Sequence, residues 1–257
     1  MLENSEPKSP VTAAVLIIGN EILSGRTKDA NLPWLAERLS ALGIRVREAR
    51  VIPDIEDEIV ATVNALRARY DYVFTTGGIG PTHDDITAEC IAKAFGVPLE
   101  RNPEAVRRME AHYPPGHLNE ARLRMANAPQ GATLIDNPVS IAPGFQIGNV
   151  FVMAGIPAIM QAMFSGLANR LVGGDPVSTR TVLCALPEGI LAKDFGELQG
   201  RYPEIEMGSY PAFRGGKPSV SLVLRGTDNA MLDRATEELA GIVRSLGGEP
   251  AVTVGAG

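Results

Sequence analysis

The sequence predicts an α/β fold, a mostly parallel sheet with helices on both faces, followed by a small α+β domain. Three observations predict it. Short apolar runs of strand length alternate with helix-periodic stretches from residue 13 to residue 95. Glycine-rich turns stand where the first and third runs end, and ligands of parallel sheets collect beyond the carboxyl ends of the strands. Gly173-Gly174-Asp175-Pro176 then reads as a linker, and the elements beyond it follow a different order.

Taken in order, residues 1–11 are polar and predict a flexible arm. Ala13 to Ile18 is a continuous apolar run, hence a buried strand, ended by Gly19-Asn20. Asn31 to Leu42 places Leu32, Leu35, Leu39 and Leu42 at helical spacing, with Pro33 in the first turn and Gly43 as a stop. Ile44 to Val51 alternates as a strand does, and Pro53-Asp54 turns the chain. Ile55 to Ala68 is a second amphipathic helix, with Ile59, Val63 and Leu66 on one side. Tyr72 to Thr75 is the third strand, and Ile86 to Phe95 the helix after it. In this arrangement the Gly19 and Gly77 turns share one crevice although they are far apart in the chain.

From Asn102 to Met125 a helix is expected, broken at Tyr113-Pro114-Pro115-Gly116. Phe145 to Ile147 and Val150 to Val152 flank Gly148-Asn149, a hairpin expected near a sheet edge. Gly155-Ile156-Pro157 opens a helix from Ala158 to about Leu171, which closes a first domain over residues 12–172. Residues 178–257 form the second. Thr179 to Leu186 reads as a strand and Glu188 to Leu198 as a helix. Glu206 to Phe213 and Ser219 to Arg225 pair as a ribbon. Asp228 caps a helix running to Leu246, and Ala251 to Val254 adds a strand.

A formal charge of −6 offers no excess of basic residues to displace counterions, so no nucleic-acid partner is expected. The opening MLENSEPKSP has no apolar stretch of a secretory signal, and no run approaches the roughly 18 apolar residues of a membrane span. A cytoplasmic protein without a membrane partner is the expectation. Cys90 and Cys184 sit in unrelated apolar contexts and read as core thiols.

The chemistry concentrates in Thr75 to Thr87, TTGGIGPTHDDIT. A strand, a glycine-rich turn and a helix start form a place where backbone N–H groups face a phosphate. Gly77, Gly78, Ile79 and Gly80 are the expected cradle, with the hydroxyls of Thr75 and Thr76 beside it. Asp84 and Asp85 follow at once. Carboxylates repel phosphate, so a divalent cation between them, or a hydroxyl or amine as the group they hold, is implied. One of the two is expected to cap the helix. His83 either bonds a phosphate or faces water. Gly19, Asn20, Glu21 and Ser24 supply the facing turn, where Asp29 reads as a cap of the next helix or as a ligand. Asn137-Pro138 and Ala142-Pro143-Gly144 are expected to wall the site.

Several motifs in register carry a family resemblance. They are IIGNEILSGRTKDAN (Ile17 to Asn31), TTGGIGPTHDDIT, MANAPQGATLIDNP (Met125 to Pro138), APGF (Ala142 to Phe145) and VMAGIPAIM (Val152 to Met160). Together they resemble the molybdopterin-binding fold family of MoaB- and Mog-like proteins. The branch is that of competence/damage-inducible protein A and the N-terminal part of eukaryotic FAD synthases. The resemblance implies a three-layer α/β/α sandwich that binds a nucleotide or pterin phosphate at Thr76 to Gly80. Its functional acidic residues match Glu21, Asp29, Asp84 and Asp85, with Glu21, Asp84 and Asp85 as metal ligands. The implied activity is hydrolysis of a nucleotide pyrophosphate such as ADP-ribose or FAD with Mg²⁺, Mn²⁺ or Co²⁺, assisted by K⁺. Asp29 or His83 would then orient the water or leaving group. The alternative is a non-catalytic protein that binds molybdopterin or a nucleotide. Other branches carry a basic residue where this chain has Asp84, which favours the pyrophosphate over molybdopterin. The family assembles as dimers or trimers, so a homo-oligomer is implied, and the amidase domain of full-length competence proteins is not expected here.

Overall fold

A computed structural model describes residues 10–214 and 217–256. The expected N-terminal arm lies mostly outside the described residues, and its last position, Val11, already belongs to a strand. The chain divides into two compact units near Gly174.

The first unit begins with β1 (Val11–Ile18), a one-turn helix α1 (Asn20–Leu23), α2 (Asn31–Ala41), β2 (Ile44–Ile52), α3 (Glu56–Arg69) and β3 (Tyr72–Thr76). There follow α4 (Thr87–Phe95), β4 (Leu99–Arg101), α5 (Pro103–His112), α6 (Glu120–Leu123) and β5 (Asn127–Pro129). It closes with β6 (Thr133–Ile135), β7 (Gly144–Ile147), β8 (Val150–Met153) and α7 (Pro157–Leu167). The main sheet has the order β2-β1-β3-β8-β7-β6. β2, β1, β3 and β8 run parallel, and β7 is antiparallel to both of its neighbours. Ile17 of β1 pairs with Thr76 of β3, so the two strands end level with each other.

Three layers follow from side-chain alternation along β1. Ala14, Leu16 and Ile18 pack in one core with Ile59, Val63 and Leu66 of α3 and Cys90, Ile91 and Ala94 of α4. The opposite face carries Phe74 and Phe151, stacked at 5.2 Å, with Phe164 of α7 against Phe74 at 5.9 Å. Trp34 of α2 meets Phe164 edge-on at 5.4 Å, which joins α2 and α7 in that layer. Burial of Cys90 pushes its thiol up to about 12, so it stays protonated and inert.

The β7–β8 hairpin lies next to the edge strand β6, with β8 buried throughout and paired with β3. The Gly19-Asn20-Glu21 turn is a helical one, closed by the Ser24 N–H donating to the Asn20 carbonyl at 2.9 Å.

The second unit holds β9 (Ser178–Cys184), α8 (Glu188–Arg201), β10 (Glu206–Arg214), β11 (Lys217–Gly226), α9 (Asn229–Ser245) and β12 (Ala251–Ala256). Its sheet is antiparallel in the order β10-β11-β9-β12. Leu191 and Leu198 of α8 and Leu232, Leu239 and Val243 of α9 share its core with Val182, Val220, Leu222 and Leu224 of the strands. Asp228 caps α9, accepting from the Met231 N–H at 2.9 Å.

Candidate functional site

β1 leads to β2 on one side of the sheet, whereas β3 leads toward β8 on the other. The strand order therefore reverses between β1 and β3, and a ligand crevice is expected at their carboxyl ends. A crevice of about 490 Å³ lies there. Four carboxylate residues, Glu21, Asp54, Asp84 and Asp85, line it together with Gly19 and the turn Gly77 to Thr82. Ala154 to Pro157 after β8 and Asn137, Ser140 and Ala142 before β7 complete the wall, as the proline-bounded loops had suggested.

The glycines are required by close packing. Gly77 has φ +106, and a Cβ there would stand 2.1 Å from the Ile18 carbonyl oxygen at the end of β1. At Gly78, with φ +67, a Cβ would stand 2.1 Å from Thr87 Oγ1. Thr87 ties down this turn. Its N–H donates to the Gly78 carbonyl and its hydroxyl to that of Gly77, both at 3.0 Å. At Gly19 and Gly80 the space of a Cβ is filled by the carboxylates of Glu21 and Asp85, each with an oxygen at 2.6 Å. The N–H groups of Gly78, Ile79 and Gly80 have no acceptor among the described residues, so three donors are left at the crevice wall.

Asp54 escaped sequence reasoning, which treated Pro53-Asp54 only as a turn. It stands past the end of β2, where its Oδ2 accepts from the Asn20 N–H at 2.9 Å. Burial pushes its pKa up, partly offset by that hydrogen bond, and the like charges of Glu21, Asp84 and Asp85 push it further. Asp84 is 61 % exposed, and hydrogen bonding within the turn holds its carboxyl below the usual range. Asp85 accepts from the Thr82 N–H at 2.8 Å and from the Thr82 hydroxyl, so it braces the turn. Neither aspartate caps α4. The cap position is Ile86, which offers no side-chain acceptor. Among the described residues no three His, Cys, Asp or Glu side chains form a group that could hold a metal ion.

The other expected residues divide. Both oxygens of Asp29 accept from the start of α2, the Asn31 N–H at 3.2 Å and the Leu32 N–H at 2.9 Å, so its cap reading fits the geometry. Asp29, Glu21, Asn31 and Thr76 line a second, narrow cleft of about 50 Å³. Asn31 Oδ1 and the Thr76 hydroxyl are buried without a partner there, and the Thr75 hydroxyl is likewise unpaired in the interior. His83 is 97 % exposed and does not line the crevice. Asn20 reaches it only through its N–H on Asp54, and Ser24 donates to the Glu21 carbonyl at 3.2 Å.

Residues 14–173 match the family model described as "Probable molybdopterin binding domain", and residues 176–246 match "FAD synthase, middle domain". A protein of Pyrobaculum arsenaticum is 35 % identical over 246 residues, covering 91 % of each chain. A CinA-like protein of Citrifermentans bemidjiense is 36 % identical over 239 residues, which are 88 % of this chain but 56 % of that longer relative. A crystal structure of CinA from Thermoplasma acidophilum aligns with 63 % of this chain and 99 % of its own, at 34 % identity and a TM-score of 0.60.

Proposed function

The chain belongs to the molybdopterin-binding domain family, on its CinA-like branch, and from that premise we propose that it hydrolyses a nucleotide pyrophosphate of the ADP-ribose or FAD kind with a divalent cation. One observation carries this reading. Three backbone donors without acceptors, on Gly78, Ile79 and Gly80, line the same crevice as four carboxylate residues. Donors suit a phosphate and carboxylates suit a cation, and a metal-bound pyrophosphate needs both.

The donor set fits a hard divalent ion shared with the substrate. It is all oxygen, and the like charges of Glu21, Asp84 and Asp85 add to the burial that raises Asp54. Glu21 and Asp84 would hold the ion together with phosphate oxygens. When bound, such an ion polarises the phosphoryl group and acidifies the attacking water. The chain's own groups do the rest. The Gly78 to Gly80 donors orient one phosphate and take up charge that develops on it. Asp54, which lines the same crevice, would accept the proton of the water. The water oxygen bonds to one phosphorus as the bridging P–O bond breaks, which yields two phosphate monoesters. Asp85 keeps the turn in place through Thr82.

Asp84→Ala tests the reading. The side chain is largely exposed, so the fold should persist by circular dichroism while metal-dependent turnover of ADP-ribose falls at least about 100-fold. Unchanged turnover removes Asp84 from the mechanism. A second reading, a non-catalytic nucleotide or pterin binder, is favoured by the missing cage and by the tie of Asp85 to Thr82. Calorimetry with ADP-ribose, FAD and AMP, with and without MgCl₂, separates the two. Release of AMP marks the enzyme, and metal-independent binding without turnover marks the binder.

A further inference from the structure

The sheet of the second unit has two edges, and they are built differently. β10, at one edge, carries Pro211 within the strand and Glu206 at its start. Proline and charge are the usual guards of an open edge. β12, at the other edge, reads Ala-Val-Thr-Val-Gly-Ala and has neither. It pairs with β9 alone among the described residues, so alternate N–H and C=O groups along it face outward.

The core face of this sheet also runs on past the helices that cover it. Directly opposed residues of an antiparallel pair share a face. Leu222, Val182 and Val252 therefore form one row across β11, β9 and β12, and Leu224, Arg180 and Val254 form the next. Leu222, Val182 and Leu224 are fully buried, whereas Val252 is 48 % and Val254 71 % exposed. Both valines line a groove of about 320 Å³ whose other wall is one side of α9, with Asp233, Glu237 and Arg244 along it. Asp233 bonds Arg180 at 2.8 Å, and Arg180 stands opposite Val254, so the acidic end of the groove is the Val254 end. The Gly248 N–H donates to the Val243 carbonyl at 2.9 Å, so the chain reverses directly after Arg244 and β12 runs back along α9. Arg244 is thus at the Val252 end. Neither Glu237 nor Arg244 has an ion-pair partner among the described residues.

We propose that β12 pairs antiparallel with β12 of a second copy of this chain, joining the two sheets into one across a twofold axis. The twofold reverses the groove end for end. Arg244 of each copy then comes to the acidic end of the other, at Glu237, and the valines of the two strands cover one another. A parallel approach would set like ends together. The groove is therefore complementary to itself in one orientation only.

The test is sedimentation of the full chain across concentration at low salt, where a concentration-dependent dimer is expected. Arg244→Glu and Glu237→Arg each set like charges across the twofold and should weaken the dimer about tenfold. An equal mixture of the two variants should recover a dimer of unmodified strength, because each copy then offers the charge that the other lacks. Val254→Lys adds the edge guard that β12 lacks and should leave the chain monomeric. All three positions are exposed, so the variants fold, which circular dichroism checks. A monomer at every concentration, a trimer, a dimer that the three variants leave unchanged, or a mixture that does not recover overturns the pairing. None of these outcomes bears on the pyrophosphate site, which lies in the first unit.

Discussion

Replacing Gly77 by alanine tests the geometry on which the crevice depends. The new methyl would lie 2.1 Å from the Ile18 carbonyl oxygen, against the roughly 3.5 Å at which such atoms rest. The obstacle is backbone of a central strand, so it does not rotate away. Holding alanine at φ +106 costs about 1–3 kcal/mol, and forcing the contact apart costs about 1–3 kcal/mol more. Movement of the turn also strains the bond from the Gly77 N–H to the Met153 carbonyl, 3.1 Å long and worth about 1 kcal/mol. The expected loss is about 3–7 kcal/mol, a large share of the stability of an ordinary domain. Gly96→Ala is the control. It too has positive φ, +66, but no atom lies within 4 Å of the added methyl, so about 1 kcal/mol is expected. The chain has one tryptophan, Trp34, and it packs on Phe164 within the first unit. Its fluorescence in urea therefore reports that unit for both variants. Equal unfolding midpoints for Gly77→Ala and Gly96→Ala would refute the close approach of β1 to the turn.

Two further outcomes follow from particular contacts. Asp54 has a folded pKa above its ordinary 3.8, so the folded state takes up a proton first, and stability declines as pH rises through the window just above 3.8. Asp54→Asn keeps an acceptor for the Asn20 N–H and drops the charge. It should stabilise the protein by about 0.5 kcal/mol at pH 7 and low salt, discounted for solvent screening, and by nothing at pH 3.5. A destabilised variant whose deficit is the same at both pH values would contradict this. In the second unit, Asp228→Ala should lower stability by about 1 kcal/mol and Asp228→Asn by much less, read by helical circular dichroism in urea. Equal effects of the two would show that the side-chain oxygen does not hold the Met231 N–H.

Much of the fold was legible because burial here is written into short apolar runs. β1 and β3 are apolar and bounded by glycine or polar turns, and Ile59, Val63 and Leu66 mark the buried side of α3. What escaped was what depends on pairing. β4, β5 and β6 are three residues long, too short for any period to register, and exist because a neighbouring strand supplies their hydrogen bonds. Asp54 escaped for a related reason. Locally it is the second residue of a Pro-Asp turn, and only the pairing of β2 with β1 brings it to Asn20 and toward the charges of Glu21, Asp84 and Asp85. For His83 the sequence leaves open a phosphate bond or a place in water, and its ring is 97 % exposed, because nothing in the local Thr82-His83-Asp84 order decides which way the side chain turns.

The glycines were read as room for a phosphate, and their geometry assigns them a different task. At Gly77 and Gly78 the missing side chains make way for the Ile18 carbonyl and the Thr87 hydroxyl, and at Gly19 and Gly80 they make way for Glu21 and Asp85. The turn is thus a joint between β1, β3 and α4, with carboxylates folded back against the backbone. Close packing of this kind leaves the Gly78, Ile79 and Gly80 N–H groups without protein acceptors, since the carbonyls of Gly77 and Gly78 are taken by Thr87 and the facing surface is carboxylate and crevice. Donors and carboxylates held this near each other would satisfy one another if either could move. Asp85 is tied to Thr82, and Thr87 ties the glycine turn, so these groups are held apart. The ties of the joint, rather than the presence of glycine alone, are what leave the three N–H groups open at the crevice.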